Sequence, residues 1–332
     1  MSNEITRNNL IDKISELLKT ARNSVISTVN QTIVFTYYEI GRMIVEEEQN
    51  GKEKADYGKQ LISDISKKLT NDFGRGFSST NIKQMRSFYL IYSKGQTLSD
   101  EFKLSWSHYL KLMRIEDANE RKFYEIESYK NNWSLRELQR QYDSALYTRL
   151  ALSRDKDKIL ELSTKGQILE QPKDAVKDPY VLEFLGLEEK AEYSESELEQ
   201  KLIDKLGHFL LELGTGFTFV ARQKRITFEE KHFRIDLVFY NRILKCFVLI
   251  DLKIGELKHQ DIGQMQMYVN YYDREMRLQD ENKTIGIILC QDKNEAIVRY
   301  TLPENNEQIF ASQYLTVLPS KEDLKQLLES NE

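Results

Sequence analysis

Two apolar runs, residues 233–240 and 246–254, constrain this chain's fold more than any other feature. Both are rich in Val, Ile, Leu and Phe, as expected of strands with at least one buried face. Both also carry charge where a strand core rejects it: Asp236 in the first, Asp251 and Lys253 in the second. Side chains alternate along a strand. Phe247, Leu249, Asp251 and Lys253 therefore share one face, and Cys246, Val248, Ile250, Leu252 and Ile254 the other. In the first run Asp236 sides with Arg234, Val238 and Tyr240, opposite Phe233, Ile235, Leu237 and Phe239. The segment YNRILK between them is short enough for an antiparallel hairpin. A turn centred near Ile243 and Leu244 places Asp236 across from Asp251, whereas a two-residue turn at Asn241 and Arg242 separates them.

Carboxylates brought together repel, and burying them is costly. A divalent cation removes both problems. Mg²⁺ takes one or two carboxylates and completes its shell with water and phosphate oxygens. A lysine two residues beyond the acid reaches the same cavity, where it can position an attacking water or offset charge on a scissile phosphate. An Asp-x-Lys by itself is common and needs no function. Here five apolar residues precede the acid, and a second acid lies fifteen residues upstream in a similar run.

The rest of the chain bounds the reading. Its 332 residues suffice for about two domains. The N-terminus has no signal-peptide core, and no stretch approaches the ~18 apolar residues of a membrane span. Cys246 and Cys290 lie in apolar runs, as free thiols in a reducing cytoplasm would. His108, His208, His232 and His259 lack zinc spacing, and Gly74, Gly76, Gly214 and Gly216 form no phosphate-binding loop. Membrane insertion and nucleotide hydrolysis are not expected.

Residues 6–48 carry a helical apolar repeat, long enough to predict a break or an extended arm. A second helix closed by Gly74 and a third capped among Ser78, Ser79 and Thr80 give a helix-turn-helix outline. Residues 105–150 read as wholly helical, with Ser134 a further cap, and 196–213 as one amphipathic helix. Between Gly74 and Lys94, Arg75, Lys83, Arg86 and Lys94 stand without an acid, interleaved with Phe88, Tyr89 and Tyr92. Arg75, Lys83 and Arg86 are the candidate phosphate contacts, though a helical bundle with solvated charges reads the same way. A charged stretch with two of the four prolines divides the chain into 1–155, a linker at 156–175, and 176–332, the last expected to fold alone. A helix around 259–273, the strand TIGIILC and a short tail of strand and helix follow.

Asp236 followed by Asp251-Leu252-Lys253 resembles the D…(D/E)xK signature of the PD-(D/E)XK nuclease superfamily. The wider pattern, LLELGTGFTFVARQKRI through GQMQMYVNYY, resembles the bacterial YhcG-type nucleases. GRMIVEEEQNGKEKADYGKQLI, FGRGFSSTNIKQMRSFY and NWSLRELQRQ resemble that family's front domain. The resemblance implies an α+β chain: an all-α domain of helix-turn-helix or winged-helix kind, then a restriction-endonuclease-like α/β domain with a central mixed sheet. It implies Mg²⁺-dependent hydrolysis of DNA, with Mn²⁺ as substitute. Asp236, Asp251, the Leu252 carbonyl and Glu199 would be metal ligands, and Lys253 the catalytic lysine. Gln264 and Tyr268 match a Q-x-x-x-Y helix after the lysine strand. Gln223 belongs to the similar stretch without an assigned role. Cutting both strands of a duplex needs two sites, hence an expected homodimer. The alternatives are a silent binding or assembly module, or a nuclease for branched DNA or RNA.

Overall fold

The computed structural model describes residues 2–50, 55–93, 102–152, 156–187, 193–228 and 230–317. Residues 1–139 and 140–332 form two compact units. Among the described residues no helix is long and apolar enough to cross a membrane.

The described elements of the first unit are helical. α1 (Ser2–Asn50) runs unbroken, so of the two readings of this stretch the break is absent. Gly41 sits inside it at little cost because another helix needs the room. A Cβ there would lie 2.1 Å from the Met85 carbonyl oxygen. α2 (Ala55–Phe73) ends at Gly74, whose φ of 92° suits glycine. After one 3₁₀ turn, Ser78 caps α3 (Ser79–Tyr92) by accepting from the Asn81 N–H. Ile44, Ile62, Ile82 and Met85 form one core, and Phe88 packs against Phe102, Trp106 and Tyr109. Phe88 is therefore core rather than part of a nucleic-acid face.

The stretch read as wholly helical is four helices: α4 (Trp106–Leu112), α5 (Ala118–Lys130), α6 (Leu135–Asp143) and α7 (Leu146–Leu152). Asp117 caps α5, and Ser134 accepts from the Glu137 N–H at the start of α6. Asn132 and Ala145 take left-handed backbone at the breaks. Caps and αL residues end helices whose apolar periodicity runs on. Lys94 and the helix expected at the C-terminal end lie outside the described residues.

The second unit continues through α8 (Lys156–Lys165), β1 (Tyr180–Val181), α9 (Glu195–Asp204) and α10 (Leu206–Leu213). The single helix expected at 196–213 is interrupted at Lys205. β2 (Phe217–Phe228), β3 (Lys231–Asn241) and β4 (Cys246–Glu256) follow, then α11 (His259–Tyr271), β5 (Ile285–Asp292), α12 (Glu295–Thr301) and β6 (Ile309–Leu315). The sheet order is β1-β6-β5-β4-β3-β2. β3 is antiparallel to β2 and β4, and the other pairs are parallel, so the sheet is mixed.

Helices cover both faces. Leu198, Leu202, Phe209 and Leu213 pack with Leu237, Phe239, Val248, Ile250 and Leu289 on one side. Ile262, Met265, Tyr268 and Val269 pack with Val238, Leu249 and Ile288 on the other. Gly286 lets α11 approach, since a Cβ there would meet Met265 at 2.6 Å. Simple alternation fails at one place. Ile235 joins Val238 and Leu249 rather than Leu237 and Phe239. β3 thus changes sides around Asp236, opposite Gln223, whose φ of 46° breaks the regularity of β2.

A buried charge network anchors the start of this unit. Arg149 and Glu212 are both fully buried and meet at 2.6 Å. Glu212 also accepts from the Val181 N–H at 3.0 Å and contacts Arg140 at 3.3 Å. Burial alone would push Glu212 up, but Arg149, Lys177 and Arg140 outweigh it and hold it at about 2. Removing one partner of such a pair leaves an uncompensated buried charge. Arg149→Ala should therefore lower unfolding stability by about 3–5 kcal/mol, read from urea denaturation. A loss below about 1 kcal/mol would mean that water or rearrangement compensates Glu212.

Candidate active site

Asn241 decides the hairpin. It is buried at the end of β3, and its Oδ1 accepts the N–H groups of Ile243 and Leu244 at 3.0 and 3.1 Å. This Asx-type arrangement spaces the strands by the four residues 242–245, with Lys245 at φ 48°. The resulting pairs run from Asn241↔Cys246 to Leu237↔Ile250. One step further, Asp236 faces Asp251, as a turn centred on Ile243 and Leu244 requires. Strand pairing ends there, and Asp236 Oδ2 reaches over to accept the Leu252 N–H at 2.8 Å.

Asp251 is 1% exposed. Its Oδ2 accepts no directed hydrogen bond, and the Lys253 ammonium lies 3.0 Å away as an ion pair. Lys253 also approaches Glu195 of α9 at 3.7 Å. Burial first, and Asp236 second, push the Asp251 carboxyl up to about 7. Burial pulls the Lys253 ammonium down, but Asp251, Glu195 and Asp236 outweigh it and hold it above its ordinary value. The carboxyl ionises less readily than a free Asp, and the ammonium keeps its proton more firmly than a free Lys.

Ser194 and Glu197 form a capping box that starts α9 and sets Glu199 facing the sheet. Glu199 is nearly buried, and burial raises its carboxyl despite a hydrogen bond from Gln223. That bond is the link sequence reasoning missed. Gln223 Nε2 donates to Glu199 Oε2 at 2.7 Å and to Asp236 Oδ1 at 3.0 Å. One amide thus joins the helix acid to the strand acid. The only sequence signal for it is a polar residue in a half-exposed alternating stretch, which lacks the apolar run that marks a strand.

Gln264 and Tyr268 meet on α11, where the Gln264 amide donates to the Tyr268 hydroxyl. That hydroxyl donates to the Arg234 carbonyl at 2.8 Å, fixing β3 two residues before Asp236. Arg75, Lys83 and Arg86 lie in the other unit. Arg75 and Lys83 are exposed, while Arg86 pairs with Glu48 at 2.6 Å.

Among the described residues no three His, Cys, Asp or Glu side chains are grouped to hold a metal ion. A hard cation that keeps most of its water needs fewer. Two carboxylates suffice for Mg²⁺, and Asp251 Oδ2 is a buried carboxylate oxygen with unused accepting capacity. The donors at this fork are all oxygens, which suits such an ion. Glu199 and Asp236 Oδ1 are engaged by Gln223.

An acid-bearing antiparallel hairpin on a mixed sheet, with the lysine two residues past its second acid, places this unit in the PD-(D/E)XK class of nuclease domains. Residues 173–329 match the YhcG PDDEXK nuclease domain, and residues 13–149 the DUF1016 N-terminal domain. The chain is 39% identical over 343 residues to the Escherichia coli (strain K12) protein described as "Putative nuclease YhcG", covering 94% of this chain and 91% of that one. The chain belongs to the YhcG nuclease family. Solved structures overlap it in part. A repair endonuclease from Pyrococcus abyssi aligns with TM-score 0.27 and 20% identity, over 38% of this chain and 49% of its own. An EndoMS–dsDNA complex aligns with TM-score 0.28 and 19% identity, over 41% of this chain and 51% of its own. The chain therefore spans about half the length of those solved chains.

The raised Asp251 carboxyl carries a stability signature. Its unfolded value is about 3.9, so between about pH 4 and 7 the folded state binds the proton more tightly. Folded stability without metal then falls as pH rises through that window. Asp251→Asn removes this loss. The variant should exceed wild type at pH 8 by on the order of a few kcal/mol, and the curves should converge toward pH 4. Denaturant titrations in EDTA across pH 4–8 measure it, and parallel curves would show that burying this carboxylate carries no such penalty.

Proposed function

We propose that the chain is a metal-dependent DNA endonuclease hydrolysing phosphodiester bonds at the fork of β3 and β4. The observation that carries this reading is the buried Asp251 carboxylate, with Lys253 at 3.0 Å and Asp236 across the hairpin. Asp236, Asp251 and the Leu252 carbonyl would hold Mg²⁺ or, as substitute, Mn²⁺. When bound, such an ion would supply positive charge for the scissile phosphate and acidify water. Lys253, kept protonated by its acidic neighbours, orients the attacking water and offsets phosphate charge. Glu199 completes the acidic set through the Gln223 amide. Gln264 and Tyr268 are positioning residues that steady β3 beside Asp236. Arg75 and Lys83 give the front unit two exposed cations for the phosphate backbone, whereas Arg86 is committed to Glu48. Free buried Cys246 and Cys290 fit a reducing cytoplasm.

Cleavage of a duplex DNA panel in Mg²⁺ tests the reading, with EDTA and Asp251→Ala both abolishing activity. Lys253→Ala should slow cleavage by roughly 10²–10³-fold, the effect of losing one preorganised electrostatic group, with little change in DNA affinity. An unchanged rate would make Lys253 a bystander, and full activity in EDTA would end the metal mechanism. Cleavage of branched DNA or RNA in preference to duplex DNA would redirect the substrate assignment.

Two sites on one duplex call for a homodimer, and α1 offers the surface. Ile14, Leu18, Ala21, Val25, Thr28 and Thr32 recur at alternating steps of four and three, and all are exposed. The Thr28 and Thr32 hydroxyls bond carbonyls of their own helix, so burying this stripe strands no hydroxyl donor. A sustained 3.5-residue period suits a coiled coil. Sedimentation should find a dimer that Leu18→Glu with Val25→Glu converts to monomer. A monomeric wild type at micromolar concentration would rule this interface out.

A further inference from the structure

The hairpin that carries Asp236 does not stop at the site. β3 leaves β4 after Leu237 but stays paired with β2 to the end: Lys224↔Ile235, Arg225↔Arg234, Ile226↔Phe233, Thr227↔His232 and Phe228↔Lys231. Residues 224–228 and 231–235 are thus a two-stranded ribbon extending past the fork. Its root is fixed. Ile226 and Ile235 are buried with Tyr268 and Leu257, and the Tyr268 hydroxyl holds the Arg234 carbonyl.

The ribbon carries exposed cations on both faces: Arg225 and Arg234 share one, Lys224 and Lys231 alternate to the other, and Glu230 stands exposed at the turn. Lys224, Arg225, Lys231 and Arg234 are all exposed, and no carboxylate pairs with any of them among the described residues. Arg225 stands directly across from Arg234. Like charges directly opposed on neighbouring strands destabilise the pair. Arg225 spends a donor on the His232 ring, at 2.8 Å, which is no counter-charge. The chain as a whole carries a net charge of −5, so this concentration of cations is local.

We propose that this ribbon is a phosphate-binding arm that seats duplex DNA across the active site. The proposal rests on the DNA nuclease reading above and extends it to the surface that holds the substrate. Arg234 lies two residues from Asp236 along one strand, about 7 Å at the usual rise. That matches about two nucleotide steps at ~3.4 Å each, so Arg225 and Arg234 would reach phosphates about two steps from the one being cut. A two-stranded ribbon is also narrow enough for the major groove. A bound phosphate would relieve the opposition of the two arginines, which no carboxylate among the described residues relieves.

The test uses the full chain with Lys253→Ala throughout, so that binding is measured without cleavage. Fluorescence anisotropy across a salt series is read for a duplex DNA and a duplex RNA of equal length. Arg225→Gln with Arg234→Gln should weaken DNA binding and flatten the slope of log affinity against log salt by about 1.8, at ~0.9 per lost contact. The melting temperature should stay level or rise, because a repulsion is removed. Lys224→Gln with Lys231→Gln should also flatten the slope without touching the opposed arginines. An unchanged slope in both variants, with wild-type DNA binding intact, overturns the ribbon and leaves the nuclease reading standing. Failure of the Lys253→Ala parent to bind duplex DNA even at low salt overturns both, and tighter binding to duplex RNA overturns the DNA assignment.

Discussion

Asp236 and Asp251 face each other where two strands stop pairing, and much of the second unit follows from accommodating them. Each acid must be held, and neither can be left facing the other unaided. Asp236 is satisfied by the Leu252 N–H and by Gln223. Asp251 keeps one oxygen without a directed hydrogen bond, beside an ammonium. The first acid is held by two hydrogen bonds, and the second is held by the neighbouring ammonium. This asymmetry would be wasteful in a purely structural element, because a buried acceptor left open costs free energy that apolar packing would not.

The hairpin was legible in the sequence because its register depends on few residues. Two apolar runs and a short polar segment left two registers, and Asn241, by taking two turn N–H groups, selects between them. Glu199 and the Gln264–Tyr268 pair are implied by the resemblance to the nuclease superfamily, not by spacing alone. Asp236 and Lys253 themselves stood out only because apolar residues surrounded them.

Other parts were hidden for physical reasons. β2 is half-exposed and strongly charged, so it lacks the apolar run that marks a strand. Its alternation is broken at Gln223, whose left-handed backbone is not encoded by residue type. Strand coiling moved Ile235 to the opposite core from Leu237, an effect strict period-two reasoning excludes. Helix breaks at Asn132 and Ala145 fell inside an unbroken apolar periodicity. The basic ribbon is hidden in the sequence because Arg225 and Arg234, nine residues apart in the chain, become neighbours only when β2 and β3 pair.

The Arg149–Glu212 contact has a consequence for how such chains can be recombined. Arg140 and Arg149 precede every strand of the sheet, yet Arg149 neutralises a carboxylate buried beneath it and Arg140 contacts the same group. A chimera joined after residue 150 would inherit Glu212 from one parent and its guanidinium partners from the other. Exchange of the front half between relatives is therefore viable only where both parents keep this arginine pair, or where the crossover falls before Arg140. The buried ion network thus ties residues from Arg140 onward to the sheet-bearing unit, upstream of the place where the composition changes.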